Sequence, residues 1–191
     1  MKVVAFNGSP RADGNTAESL KIVLSELEKE GIETELVQLG GKKVFGCLGC
    51  MKCRELKNKR CVRQDDDMNM FIEKMDSADG IIIGSPTYFS NVTTEVKALI
   101  DRCGYVNKSN GGDILKGKAG AAVVAVRRAG SNFTYAAINF FFGISEMVVP
   151  GSSYWNMTLS RDPGDIFKDE EGIGTFENLG KNMAWLLKKI K

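Results

Sequence analysis

Two hydrophobic rhythms alternate along this chain, and they predict different elements. Short continuous apolar runs, beginning with Val3, Val4, Ala5 and Phe6, read as strands. Stretches with an apolar residue every three or four positions read as helices. On that basis the first strand spans Val3–Asn7 and the first helix Thr16–Lys29, ended by Gly31. A second strand over Glu33–Leu39 runs into Gly40-Gly41. A helix is expected from about Asp66 to Ser77, with Asp65–Asp67 placed to favour the positive end of its dipole. Gly80–Gly84 (Gly-Ile-Ile-Ile-Gly) has no polar face, as expected of a central parallel strand covered on both sides. Thr93–Cys103 reads as a helix, Lys118–Arg127 as the fourth strand and about Asn132–Gly143 as a further helix. Glu146–Gly151 reads as the fifth strand, and Thr175–Ile190 as a closing amphipathic helix with a basic end.

Strands alternating with helices predict an α/β fold, a doubly wound five-stranded parallel sheet. Right-handed crossovers then leave a crevice at the carboxyl ends of the strands, where the strand order reverses. The 191 residues suit one well-buried domain over 1–191, and no repeat or linker divides it; a cysteine-bearing loop occupies about 40–64. The balance of 26 basic against 24 acidic residues supplies no electrostatic case for nucleic acid or an anionic membrane. No apolar run is long enough to span a bilayer, and the chain opens directly on a strand, so a cytoplasmic protein without a signal peptide is expected. The absence of histidine is more selective. It excludes Ser-His-Asp and Cys-His nucleophiles, HExxH metal sites and His-ligated zinc. Chemistry here is expected to come from a bound cofactor.

The first strand leads into Gly8-Ser9-Pro10-Arg11-Ala12-Asp13-Gly14-Asn15-Thr16 and then a helix N-terminus. The unpaired N–H groups and positive dipole end of such a helix make an anion site, to which Ser9, Asn15 and Thr16 add neutral donors and Arg11 a charged one. The loop has neither the Gly-Lys-Ser/Thr ending of a nucleoside-triphosphate loop nor Gly-x-Gly-x-x-Gly. A terminal monophosphate, such as that of flavin mononucleotide (FMN), fits it better. In isolation, an ordinary strand-to-helix turn with an Asn-Thr cap would look the same. The third strand ends in Gly84-Ser85-Pro86-Thr87-Tyr88-Phe89-Ser90-Asn91, which should open at the same rim. Pro86 stiffens that turn, Tyr88 and Phe89 can lie against a flat ring, and Thr87, Ser90 and Asn91 offer polar atoms.

This pair of loops resembles the flavodoxin-like family of NAD(P)H-dependent FMN reductases, whose loops read much like Gly-Ser-Pro-Arg-x-x-Gly-Asn-Thr and Gly-Ser-Pro-x-Tyr. The likeness runs from Met1 to about Gly151. It implies a strand order of 2-1-3-4-5, with Ser9, Arg11, Asn15 and Thr16 on the FMN phosphate. It implies that Pro86, Thr87, Tyr88, Phe89 and Asn91 line the isoalloxazine, and that Ala129 and Gly130 belong to a third flavin loop. Arg127 and Arg128 depart from the small polar residues expected there; they either bind the phosphates of a nicotinamide nucleotide or are simply solvated. No side chain need act as a nucleophile, since the flavin carries the redox chemistry.

Cys47, Cys50, Cys53 and Cys61 follow C-x2-C-x2-C-x7-C, a spacing that lets four thiolates converge. Its first part copies the ferredoxin run, whereas zinc sites more often use two separate C-x2-C pairs. With the flavin loops, the motif resembles the iron-sulfur flavoprotein branch of the family, which implies a [4Fe-4S] cluster exchanging electrons with FMN, often between subunits. A loop of reduced thiols is the alternative. Cys103 is expected to be a packing residue. Phe140, Phe141 and Phe142 suggest core packing with one contact to another subunit, and Trp185 should join the core. Ser152–Glu171 is a long connection that either covers the site or protrudes. The expected partners are a pyridine nucleotide or reduced ferredoxin as donor, a small redox acceptor, and further copies in a homodimer or homotetramer. A non-enzymatic flavodoxin-type carrier and a zinc module without flavin are the rival functions.

Overall fold

The computed structural model describes residues 1–191. Its sheet is formed by β1 (Lys2–Asn7), β2 (Glu33–Gln38), β3 (Gly80–Pro86), β4 (Ala119–Val126) and β5 (Met157–Leu159). The strands lie in the order β2-β1-β3-β4-β5, all parallel, as a flavodoxin-like sheet requires. Six helices accompany them: α1 (Asn15–Lys29), α2 (Lys52–Leu56), α3 (Met68–Ser77), α4 (Thr94–Ser109), α5 (Ser131–Ile144) and α6 (Glu170–Ile190). None is long and apolar enough to cross a membrane.

Alternation along the central strands divides the interior into two cores. Val3, Ala5, Ile82, Ala121 and Val123 face α1 and α6, where Leu20, Val23, Phe176 and Met183 cover them. Val4, Phe6, Ile81, Ile83 and Ala122 face α3, α4 and α5, beneath Phe71, Leu99 and Phe142. Cys103 lies wholly inside this second core, and burial pushes its thiol up to about 12. Its packing role is as expected. Phe141 and Phe142 are buried as well, whereas Phe140 points outward.

Several expectations need correction. The segment 146–151 is not the fifth strand: Val148 alone bridges to Ala119, and the strand beside β4 comes later, at Met157–Leu159. Pro150 has no N–H to offer a ladder, so the chain leaves the sheet and returns only where Val124 can donate to the Asn156 carbonyl at 3.0 Å. Trp185 is 63 % exposed; it sits half a turn away from the buried stripe of Phe176, Leu179, Met183 and Leu187. Helix α4 continues six residues past Cys103, and α6 starts at Glu170, with the Asp169 side chain accepting from the Gly172 N–H. The short helix α2 inside the cysteine loop has no apolar periodicity to announce it.

Candidate functional site

The carboxyl ends of β1, β3 and β4 meet at one rim. The Gly8 N–H donates to the Gly84 carbonyl at 2.8 Å, and Thr93 Oγ1 donates to the Gly8 carbonyl at 3.0 Å. The N-terminus of α1 lies directly on the sheet there because Gly84 has no side chain: a Cβ would come within 2.7 Å of Leu20. The result is a cleft of ≈ 210 Å³ lined by Ser9, Arg11, Gly14, Asn15, Thr16, Pro86, Thr87, Tyr88, Ala125, Arg127, Ser160 and Arg161.

Several neutral polar side chains around this cleft are already used. Asn7 organises the first loop: its Oδ1 accepts from the Ser9 N–H at 3.1 Å, and its Nδ2 donates to the Arg11 carbonyl and to Gln38. Ser9 Oγ accepts from the Arg11 N–H at 3.2 Å. The Asn15 amide reaches across the cleft, donating to the Asp162 carbonyl at 2.9 Å and accepting from the Gly164 N–H at 3.0 Å. Its side chain therefore closes the far wall of the cleft, leaving its backbone N–H and the second hydrogen of its Nδ2 for an anion. Two hydroxyls stand apart. Thr16 Oγ1 and Ser160 Oγ are buried with no hydrogen-bond partner. Burying a hydroxyl unpaired costs on the order of 1–3 kcal/mol, so these atoms await an acceptor. Gly14, the N-cap of α1, brings no side chain to the first turn, so its N–H groups remain open as well. The donor set fits a phosphate.

The second loop is a tight turn. Tyr88 and Asn91 exchange backbone hydrogen bonds of 2.9 and 3.0 Å, forcing Phe89 and Ser90 into the left-handed region. Tyr88 is half exposed at the cleft, and Phe89 is fully exposed. The Thr87 N–H donates to Ala125 O at 2.8 Å, while its Oγ1 accepts from Thr134. Asn91 Oδ1 turns back to the Val92 N–H. Gly130, at φ 89°, packs so closely on Ser90 that a Cβ would meet its Oγ at 2.5 Å, which joins the third loop to the second. The structure thus gathers Ser9, Arg11, Asn15, Thr16, Pro86, Thr87 and Tyr88 around one cleft. Phe89, Asn91, Ala129 and Gly130 stand on the adjoining loops rather than in its lining. Of the two adjacent arginines, Arg127 faces the cleft. Ser160 and Arg161 were not foreseen, because their place depends on where β5 joins the sheet.

The four cysteines form a second site, on the opposite face of the sheet from α1. Cys47, Cys50, Cys53 and Cys61 line one small apolar cavity of ≈ 30 Å³, together with Arg102 and Tyr105 of α4. The thiols are free. The Gly49 N–H reaches Cys47 Sγ at 3.5 Å, and Ser109 Oγ donates to Cys53 Sγ at 3.3 Å. Four soft sulfur donors around one apolar cavity fit an iron-sulfur or zinc centre in donor chemistry. No three thiol or carboxylate side chains stand in a metal-holding arrangement in this structure.

Beneath that cavity lies a buried ion pair. Asp66 accepts from the Met68 N–H at the start of α3, as its place before a helix suggested, but its carboxylate is also sealed from solvent against the guanidinium of Arg102. Burial works against ionising Asp66, but Arg102 and the N–H groups of Phe45 and Met68 outweigh it and hold the carboxyl below its usual range. Burial likewise opposes the charge on Arg102, which Asp66 and the adjacent Cys61 sustain.

Comparison with known proteins agrees with this geometry. Residues 1–162 match the family model described as NADPH-dependent FMN reductase. An iron-sulfur flavoprotein of Methanocaldococcus jannaschii is 38 % identical over 198 residues, covering all of both chains. The iron-sulfur flavoprotein of Methanosarcina thermophila is 32 % identical over 193 residues, covering 100 % of this chain and 97 % of its own. An archaeal flavodoxin structure superposes with a TM-score of 0.63 over 98 % of this chain and 99 % of that one; at 13 % identity it speaks for the fold alone. The chain belongs to the NADPH-dependent FMN reductase family, alongside relatives named iron-sulfur flavoproteins.

Proposed function

We propose that this chain is an FMN-dependent oxidoreductase that takes electrons from a reduced pyridine nucleotide or ferredoxin and passes them to a small acceptor. The observation that carries the proposal is the pair of buried, unpartnered hydroxyls, Thr16 Oγ1 and Ser160 Oγ, lining one cleft at the open N-terminus of α1. Ser9, Arg11, Thr16 and the backbone N–H of Asn15 hold the phosphate, with Ser160 and Arg161 completing its far side. Each charge-assisted contact contributes about 1.5–3 kcal/mol. Pro86, Thr87, Tyr88, Phe89, Asn91, Ala129 and Gly130 border the ring. Bound there, FMN supplies the hydride and electron chemistry. Arg127, free at the cleft mouth, is suited to a phosphate of the pyridine nucleotide.

In the same proposal Cys47, Cys50, Cys53 and Cys61 hold a [4Fe-4S] cluster that exchanges electrons with the flavin. All five cysteines are free, which accords with a reducing, cytoplasmic compartment. Phe133, Phe140 and Ile144, exposed on one side of α5, support association of two or four copies.

The test is the visible spectrum of protein purified without oxygen, with iron and sulfide assays, before and after NADPH. Flavin bands over a broad shoulder, bleached by NADPH, are expected. Flavin bands without iron would remove the cluster and keep the reductase. Protein that neither carries nor takes up FMN would overturn the proposal.

A further inference from the structure

We infer that Arg102 is the positioning residue of the cysteine site, fastening both ends of the thiol loop and reserving one N–H, at Nε, for a sulfur in the cavity. The part of this inference that concerns redox behaviour rests on the reading that the four cysteines hold a cluster.

The loop between Leu39 and Met68 has little regular structure to hold it: one five-residue helix with no buried residue, and left-handed backbone at Gly49, Met51, Lys57 and Lys59. Its two ends converge on Arg102. The Nη1 group donates to the Phe45 carbonyl at 3.1 Å, just before Cys47, and to Asp66; Nη2 approaches the Arg63 carbonyl at 3.4 Å, just after Cys61. Asp66 adds a second tie, accepting from the Phe45 N–H at 3.0 Å. The Arg63 guanidinium then stacks on the Phe45 ring at 3.8 Å. One buried side chain on a rigid helix therefore ties the start of the thiol run to its return, where Asn69 also holds the Cys61 N–H at 2.8 Å and the Cys61 carbonyl at 2.9 Å.

Arg102 also keeps a donor in hand. The residue is 1 % exposed, its Nε has no partner, and it lines the same cavity as all four cysteines. A buried N–H in this state is destabilising unless something accepts from it, and the cavity it lines also takes in all four cysteines. Hydrogen bonds to cluster sulfurs stabilise the reduced, more negative form and raise the potential. Lysine could keep the charge but not the planar fork that serves both loop ends at once.

Arg102→Lys tests both halves in the full chain. In metal-free protein, iodoacetamide alkylation read by peptide mass should accelerate at least fivefold at Cys61, leaving the exposed Cys47 and Cys50 unchanged. After anaerobic loading with ferrous iron and sulfide, the oxidised-to-reduced ratio at a fixed potential should rise tenfold, a fall of about 59 mV for a one-electron couple. Wild-type Cys61 reactivity together with an unchanged potential, in a variant that melts like wild type, would overturn the inference. If wild type binds no iron but Cys61 is still released in the variant, the cluster reading fails while the loop-positioning role stands. Should Arg102→Lys not fold, the Asp66→Asn, Arg102→Gln pair removes both buried charges together and faces the same two readouts.

Discussion

The cleft and the cysteine cavity are both built from loops, yet they are held in opposite ways. Around the cleft, the backbone of the sheet itself does the holding: β1, β3 and α4 are joined through Gly8, Gly84 and Thr93, and the atoms left over are polar and unpaired. Around the cysteines, little secondary structure is available, and a buried ion pair together with Asn69 anchors a loop of more than twenty residues. The first site is preformed by the fold. The second depends on a few buried side chains, the Arg102–Asp66 pair and Asn69, which grips Cys61 and Arg63, so damage to it should be abrupt.

That contrast can be broken most forcefully at the ion pair. Arg102→Ala leaves Asp66 buried without its cationic partner and should cost about 3–5 kcal/mol, measured by urea denaturation. The pair also predicts a pH dependence. Because the folded-state pKa of Asp66 lies below its ordinary value, the stability it contributes is present above roughly pH 4 and is lost as pH falls through the lower folded value. Unfolding midpoints followed from pH 6 to pH 3 should drop, and Asp66→Asn should flatten that dependence.

A change to the cleft of the next size is Gly84→Ala, whose new Cβ would press on Leu20. Overpacking of this kind costs about 1–3 kcal/mol, and the measured Tm should fall accordingly. Thr16→Val sharpens the comparison from the other side. It removes a buried hydroxyl that has no partner, so stability should hold or rise by about 1 kcal/mol. FMN affinity, read by fluorescence titration, should nevertheless weaken about tenfold, or 1.4 kcal/mol. A loss of stability with unchanged FMN affinity would assign that hydroxyl to the fold instead. Smallest of all, Trp185→Ala should stay within about 0.5 kcal/mol of wild type by the same melting assay, because the ring lies in solvent.

The parts of the molecule that could be read from the chain are those whose causes are local. β1, β3 and β4 are continuous apolar runs, and the Gly8–Thr16 loop carries its strand, turn and helix start within a few residues. β5 escaped notice because three residues have no periodicity of their own; they form a strand only by pairing with Val124–Val126. Ser160 and Arg161 were lost with it. The ion pair of Asp66 was hidden for a related reason: the three adjacent acidic residues do mark a helix start, and the partner lies 36 residues further along. Trp185 suggested core by its chemistry, while its angular position on α6 put it outside.

One modest hydrogen-bond pair has a consequence for how the protein is made. The Asn15 amide, at the first residue of α1, grips backbone atoms 147 and 149 positions later in the chain. On the ribosome, β1, α1 and β3 emerge and can assemble long before Asp162 and Gly164 exist. The cleft therefore lacks its far wall, Ser160 and Arg161 included, until residue Gly164 has been translated. A nascent chain shorter than this has nowhere finished to put a flavin, and cofactor capture waits for that segment.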